Sequence, residues 1–244
     1  MQLSDTEFKS YISKAFKENG LGKYLTMEVS DKFLALTKFM LAENEKYNLT
    51  AITDEKKIII NHYVDCVMLA KHLKGGRVID VGCGAGFPTL PMAIVNPELD
   101  ILAIDSTAKR VNYVSECVSL LGLTNVKTMT IRAEDGANMP ELREKFDFAT
   151  ARAVAEMRVL CELCMPYVKV GGKMVAMKGK NAEFELKGAK RAISMLGGAD
   201  ARIETVKLIG EGEDFSHPLI EIAKRAKTPA QYPRPYAKIS KSPL

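Results

Sequence analysis

The chain lacks any apolar run approaching the roughly 20 residues that a membrane-spanning helix needs. Its first residues place Asp5, Glu7 and Lys9 on a helical pattern, without the apolar core of a secretory signal, so the sequence reads as that of a cytoplasmic protein. Cysteine is scarce: five residues, at positions 66, 83, 117, 161 and 164, odd in number and in apolar surroundings. That fits reduced, buried thiols better than a disulfide framework. Cys161-Glu162-Leu163-Cys164 has C-x-x-C spacing, but it falls in a helical stretch and has no second pair, which argues against a metal or redox centre. No internal repeat is visible. From Lys224 to Leu244 there is no acid at all.

What is present bounds the answer from the other side. A length of 244 residues, 47% hydrophobic and 27% charged, suits one large α/β domain with a small addition. The net charge is +5, yet the 21 residues from Lys224 onward carry +6, leaving −1 for the rest. A near-neutral body with a basic tail points to an anionic macromolecular partner. Tyr232 and Tyr236 interleave with the cations and are placed to stack on bases; the alternative is a solvated, disordered end.

The organising stretch is Arg77 to Pro88. An apolar run (Val78, Ile79, Val81) reads as a buried strand and ends in Gly82, Gly84 and Gly86, after which a helical pattern opens at Phe87. About twenty residues on, a second strand, Ile101-Leu102-Ala103-Ile104, ends in Asp105, an acid spaced to bind ribose hydroxyls. A dinucleotide favours G-x-G-x-x-G, with pyrophosphate on the helix N-terminus. Here the loop is the tighter G-x-G-x-G, and Asp80 precedes it. An acid there suits a cofactor with a positive charge and no phosphate, S-adenosylmethionine, whose amino group it would hold directly or through water.

Ser4 to Asn19 reads as a helix opened by a Ser4–Glu7 capping box, with Phe8, Tyr11, Ile12 and Phe16 on one face. A second helix is expected from a Ser30 cap to about Lys46, a loop at Tyr47-Asn48-Leu49-Thr50, and further helical turns from Asp54 to Leu73. Strands are expected at 77–81, 100–104, 126–131, 146–151, 172–178, 201–209 and 217–223, and helices at 87–96, 107–122, 157–168 and 183–196. This alternation implies a mostly parallel sheet covered on both faces. The last two strands, with only Gly210 to Asp214 between them, are expected as an antiparallel hairpin at the sheet edge. A ligand then lies over the strands' C-terminal ends. Polar residues follow each one: Asp105-Ser106, Arg132-Ala133-Glu134-Asp135, Thr150-Ala151-Arg152 and Lys178-Gly179-Lys180. Ala133 and Glu134 suit an adenine, against the plainer reading of Glu134 and Asp135 as an acid pair opening a helix. For Arg152 the plainer reading is a surface salt bridge.

With these residues in place, the chain resembles the ribosomal RNA small-subunit methyltransferase G family, also called glucose-inhibited division protein B. The likeness rests on Asp80-Val81-Gly82-x-Gly84-Ala85-Gly86-Phe87-Pro88, Tyr47-Asn48-Leu49-Thr50, His62 with Asp65, Asp105-Ser106 with Lys109-Arg110, Arg132-Ala133-Glu134, Thr150 to Ala153, Gly171-Gly172, Lys178-Gly179 and the C-terminal Thr228-Pro229-x-x-Tyr232-Pro233-Arg234. Departures are Cys83 for a commoner serine or alanine, Thr89 where glycine is frequent, and no glycine before the tail's last proline. The resemblance implies a Rossmann-like class I methyltransferase: a mostly parallel seven-stranded sheet with helices on both faces and an N-terminal helical extension. It further implies methylation of guanine N7 in small-subunit (16S) ribosomal RNA, or the ribosomal particle, with S-adenosylmethionine. Residues 1–73 would be the helical extension, 74–224 the catalytic domain and 225–244 the basic tail.

By motif, cofactor contacts fall on Gly82, Phe87, Ala133, Glu134 and Arg152, beside Asp80, Gly84, Gly86, Asp105 and Ser106. Guanine N7 carries no proton, so in-line transfer needs no general base, and none stands out in the sequence. His62 reads as a structural hydrogen-bonding residue, while Arg152, Lys178 and Lys180 are placed to steady phosphates or the guanine O6. The helical extension and tail would grip RNA phosphates. No metal or membrane is expected, and the protein is expected to be a monomer. Three alternatives share parts of this pattern: a methyltransferase for another RNA or small molecule, a Rossmann NAD-dependent oxidoreductase, and a non-catalytic RNA-binding protein.

Overall fold

The structure, a computed structural model, describes residues 3–47, 49–210 and 215–244. Helix α1 (Asp5–Glu18) opens with the expected capping box: Ser4 Oγ accepts from Glu7 N, and the Glu7 carboxylate accepts from Ser4 N at 2.8 Å. Phe8, Ile12, Ala15 and Phe16 form its buried stripe. Helix α2 (Met27–Tyr47) begins earlier than expected. Thr26 rather than Ser30 caps it, its hydroxyl accepting from Val29 N at 3.2 Å. Ser30 lies inside the first turns, buried with an unpaired hydroxyl. Both residues offer cap chemistry, and the one at the chain's bend supplies it. Of the loop expected after α2, Asn48 lies outside the described residues.

The next helical stretch has an internal departure. Helix α3 (Glu55–Ile58), capped by Asp54, runs into a π-helical segment, Ile59–Val64, and continues as α4 (Asp65–Ala70). The sequence predicts helical turns over 54–73 without marking this departure; the wider turn is a feature that often marks functional sites.

From Gly76 strands and helices alternate: β1 (Gly76–Val81), α5 (Thr89–Val95), β2 (Leu99–Asp105), α6 (Ala108–Leu120), β3 (Val126–Thr130), α7 (Ala133–Gly136), β4 (Phe146–Arg152), α8 (Met157–Cys164), β5 (Val168–Met177), α9 (Ala182–Met195), β6 (Gly198–Leu208), β7 (Phe215–Lys224) and α10 (Tyr236–Lys241). The seven-stranded sheet has the order β3-β2-β1-β4-β5-β7-β6. Strands β1 to β5 pair in parallel, and β7 is antiparallel to both β5 and β6. The expected terminal hairpin is therefore present with β6 on the edge; residues 211–214 of its turn lie outside the described residues. Strand order reverses between β1 and β4, which opens a crevice at their C-terminal ends.

Two apolar cores flank the sheet. One joins the N-terminal helices to α5 and α6, the other joins α8, α9 and the C-terminal segment. All five cysteines are free and buried; burial pushes the Cys161 thiol up to about 12, which keeps it protonated and inert.

The basic tail is folded onto the protein. Glu162, fully buried on α8, accepts from Arg234 N and Nε at 2.9 and 2.8 Å and from Nη2 at 2.6 Å. Lys224 is buried and donates to Met165 O at 2.7 Å. Arg143 donates to the carbonyls of Thr228, Pro229 and Tyr232. Tyr232 and Ile239 are buried in the second core. The segment read as free cations and stacking rings thus spends Lys224, Arg234 and Tyr232 on its own docking. An isolated pattern of charges does not reveal which carboxylates the fold will bring to them.

Candidate active site

The glycine turn is built by conformation and close approach. Gly82 has φ +76° and Gly86 φ +86°, in the left-handed region. A Cβ on Gly82 would meet Val154 Cγ2 at 2.7 Å, and one on Gly86 would meet Leu90 Cδ1 at 2.5 Å. The turn is tied to β2 by Gly82 N and Cys83 N, which both donate to Ile104 O. Gly84 N donates to Asp105 Oδ2 at 3.1 Å, while Thr107 N donates to Asp105 Oδ1 at 2.9 Å. The Asp105 carboxylate is therefore held by two backbone amides, with the Arg110 guanidinium 3.8 Å away.

Three clefts meet along the C-terminal edge of the sheet. The first, about 330 Å³, lies over β1, β2 and β3 and is lined by Gly82, Asp105, Ser106, Ala133, Glu134 and others. The second, about 210 Å³, lies beside the glycine turn and takes in Gly82, Gly84, Phe87 and Arg152. The third, about 430 Å³, lies over β4, β5 and β7, with Asn61, Asp65, Arg152, Lys178 and His217 on its wall. Ala153 borders all three. It is a non-glycine residue at φ +56°, a strained conformation of the kind that gathers at functional sites.

Arg152 is the hub between the second and third clefts. Its Nη1 donates to Asn61 O at 3.0 Å and pairs with Asp65 Oδ2 at 3.2 Å. Its Nη2 lies 2.7 Å from His62 Nδ1. A guanidinium only donates, so His62 Nδ1 accepts, and Nε2–H is left to donate to Thr50 Oγ1 at 3.2 Å. Burial, followed by the Arg152 charge, lowers His62 to about 3, so the ring is neutral at physiological pH. It stacks on Phe87 with centroids 4.4 Å apart. His62 is thus hydrogen-bonded at both nitrogens while lining the second and third clefts. Asp65, almost fully buried, also faces His217 Nδ1 at 2.9 Å. The π-helical segment is what turns Asn61 O and His62 to the same guanidinium.

Among the predicted residues, Asp80, Gly86 and Lys180 line none of the three clefts, and Lys178, like Arg152, is already engaged. Asp80 is completely buried behind the turn. Its Oδ2 accepts from Thr89 Oγ1 at 2.5 Å, and its Oδ1 has no partner. Burial is the main cause raising Asp80 to about 7, against the Thr89 hydrogen bond, which lowers it. Gly86 acts through the turn rather than the wall. Lys178 Nζ is held by Glu185 Oε2 at 2.7 Å and Ala155 O at 2.8 Å.

The sequence read Tyr236 as an RNA-stacking ring and Arg110 as part of a family motif, neither as a wall of this cleft, and it did not single out Val154 or His217. Tyr236 reaches the first cleft from α10, and Val154 and Arg110 line it too. His217 joins the third cleft from β7. Only three histidines occur in the chain, and that rarity is the one sequence signal that could have drawn attention to it.

A glycine turn after the first of five parallel strands, an amide-held acid closing the second and a terminal antiparallel hairpin define a Rossmann-like class I methyltransferase. Solved structures share the architecture: a SAM-dependent O-methyltransferase from Thermotoga maritima superimposes with a TM-score of 0.52 at 15% identity, over 77% of this chain and 72% of that one. The chain belongs to the rRNA small subunit methyltransferase G family, which it matches over residues 30–211. Ribosomal RNA small subunit methyltransferase G of Clostridium perfringens (strain 13 / Type A) is 44% identical over 229 residues, covering 93% of this chain and 95% of that protein. Its counterpart in Clostridium beijerinckii is 41% identical over 241 residues, covering 98% and 99%.

Proposed function

We propose that this protein transfers the methyl group of S-adenosylmethionine to N7 of a guanine in small-subunit ribosomal RNA, in the cytoplasm and as a monomer. The observation that carries the reading is the meeting of three clefts at Ala153. Two of them suit an elongated cofactor and the third suits an acceptor base.

The residues fit that cofactor by their chemistry. Asp105, fixed by the amides of Gly84 and Thr107, suits ribose hydroxyls. Ala133 and Glu134 at the start of α7 suit an adenine, with Ser106 and Tyr236 on the same wall. Gly82, Gly84 and Phe87 border the cleft where the methionine part would lie. The unpaired Oδ1 of Asp80 lies behind that turn, an orphaned acceptor for an ammonium reached through water. When bound, the cofactor supplies a methyl on a positively charged sulfur, which leaves as a neutral thioether.

The chain's own contribution is position. Guanine N7 offers a lone pair with no proton to remove, so orientation in a narrow approach is the main requirement. Arg152 is fixed by three partners at the junction and presents a cation beside the entering base. His62, neutral and engaged at both nitrogens, is no proton acceptor for the reaction. Residues 1–73 and 225–244 flank the catalytic domain of 74–224, one on each core.

The test is transfer of labelled methyl from S-adenosylmethionine to small subunits that lack this modification, followed by nucleoside digestion. Label is expected in 7-methylguanosine. Label in another nucleoside would overturn the assigned atom, and no label with cofactor bound would overturn the assigned acceptor.

A further inference from the structure

One helix beside the acceptor cleft carries a face that neither the fold nor the site uses. Helix α9 follows Gly179, a wall residue of that cleft, by three positions. Its inner face is Ala182, Ala189, Ala192 and Ile193, all buried. Phe184 lies off that stripe and is 82% exposed, more than any other large apolar side chain among the described residues. Lys187 and Arg191 follow at three and seven residues from Phe184, so all three share one side of the helix. Both cations are exposed, as are the neighbouring Lys180 and Lys190. No ion pair among the described residues joins any of the four to an acid; Glu183, exposed in the first turn, is left apart as well.

A single exposed apolar residue is ordinary. An exposed aromatic ring aligned with cations that have no acidic partner among the described residues, on a helix that opens three residues after the wall of a cleft read as taking a nucleobase, is the composition of a single-strand nucleic-acid platform. Aromatic rings stack on any base, and the cations track the phosphates. The burial of Tyr232 and Lys224 and the pairing of Arg234 with Glu162 strengthen the case, because these groups of the tail are occupied elsewhere.

We infer that the outer face of α9 is an RNA-binding platform, on which Phe184 stacks a base flanking the target guanine while Lys187 and Arg191 contact phosphates. This rests on the proposed ribosomal RNA substrate and names a surface that grips it.

The experiment measures binding of unmethylated small subunits and methyl transfer to them, by Phe184→Ala, Phe184→Leu, Phe184→Trp and the double variant Lys187→Gln/Arg191→Gln. All positions are exposed, and unchanged binding of S-adenosylhomocysteine would verify an intact fold. Phe184→Ala and Phe184→Leu are each expected to weaken subunit binding about tenfold, the order of one lost stacking contact, and Phe184→Trp to retain it. The double variant is expected to make the dependence of log affinity on log salt shallower by about 1 to 1.5, the contribution of two phosphates on a single strand. Unchanged binding in Phe184→Ala would overturn the platform. Full recovery with Phe184→Leu would also overturn it, pointing to an apolar contact with a protein of the particle. If the wild-type protein binds subunits through Phe184 yet transfers no methyl, the proposed reaction falls while the platform stands.

Discussion

The two sides of the crevice are made of different material. Over β1 to β3 the site is organised by local backbone, through glycine φ values, the amides of Gly84 and Thr107 and an acid those amides immobilise, with side chains such as Glu134 and Tyr236 completing the wall. Over β4, β5 and β7 the walls are side chains from distant elements: Asn61 and Asp65 from the helical extension, Arg152 from β4 and His217 from β7. A backbone-built half suits an invariant ligand, since its shape is set by local conformation. A side-chain-built half depends on partners far apart in sequence, and its shape can change with any one of them.

The largest effect should come from breaking the backbone half. Gly86→Ala would put a Cβ 2.5 Å from Leu90 Cδ1 at φ +86°. The strain alone costs on the order of 1–3 kcal/mol, and relief would move the turn that holds Asp105. Loss of measurable S-adenosylhomocysteine binding in calorimetry and a lower melting temperature are expected; wild-type affinity would mean the turn tolerates a side chain.

Next comes the hub of the side-chain half. Arg152→Ala leaves Asp65 buried without its cation, a change worth about 3–5 kcal/mol for a fully buried pair and less here, where Arg152 is partly exposed. Methyl transfer should fall at least tenfold. Arg152→Lys should not restore it, because one ammonium cannot reach Asn61 O, Asp65 and His62 at once. Unchanged kinetics and cofactor affinity in the alanine variant would remove Arg152 from the site.

The smallest effect sharpens the comparison through pH. Asp80 has its folded value raised to about 7, so its contribution to stability is fully present below the unfolded value near 4 and is lost as pH rises to about 7. His62, lowered to about 3, works in the opposite direction: its contribution is present above about 6.5 and lost as pH falls towards 3. A cationic ligand near Asp80 favours the ionised carboxylate, so cofactor affinity should drop as pH falls below about 7, with proton release on binding. Asp80→Asn should flatten that profile, with a few-fold weaker binding at pH 8. A wild-type profile that is already flat between pH 6 and 8 would separate Asp80 from the cofactor.

The same division explains what the sequence makes legible. Gly82, Gly84, Gly86 and Asp105 are written locally, because a left-handed turn demands glycine and an acid closing a strand keeps fixed spacing; strand alternation likewise yields the sheet and its hairpin. The half over β4, β5 and β7 depends on where α3, α4 and β7 land, so His217 carries no local mark, and Lys178 looks free until Glu185 arrives from α9. The cap of α2 was misplaced because Thr26 and Ser30 offer the same chemistry. The tail was misread for a related reason: Glu162, which neutralises Arg234, lies 72 residues earlier.

The π-helical segment has one further consequence, concerning helical phase. A wider turn accommodates one residue more than an α-helical turn does, and each helical residue advances the chain by about 100°. Removing a single residue between Ile59 and Val64 would regularise the helix and leave the phase of the residues after it nearly unchanged, so the displacement would fall on the residues inside the segment. Asp65 would keep its place beside Arg152, but the Asn61 carbonyl and the His62 ring would no longer both meet that guanidinium. The convergence of Asn61 and His62 on Arg152 is thus stored in a count of residues, and a one-residue deletion there would disturb it although every side chain outside the segment is kept.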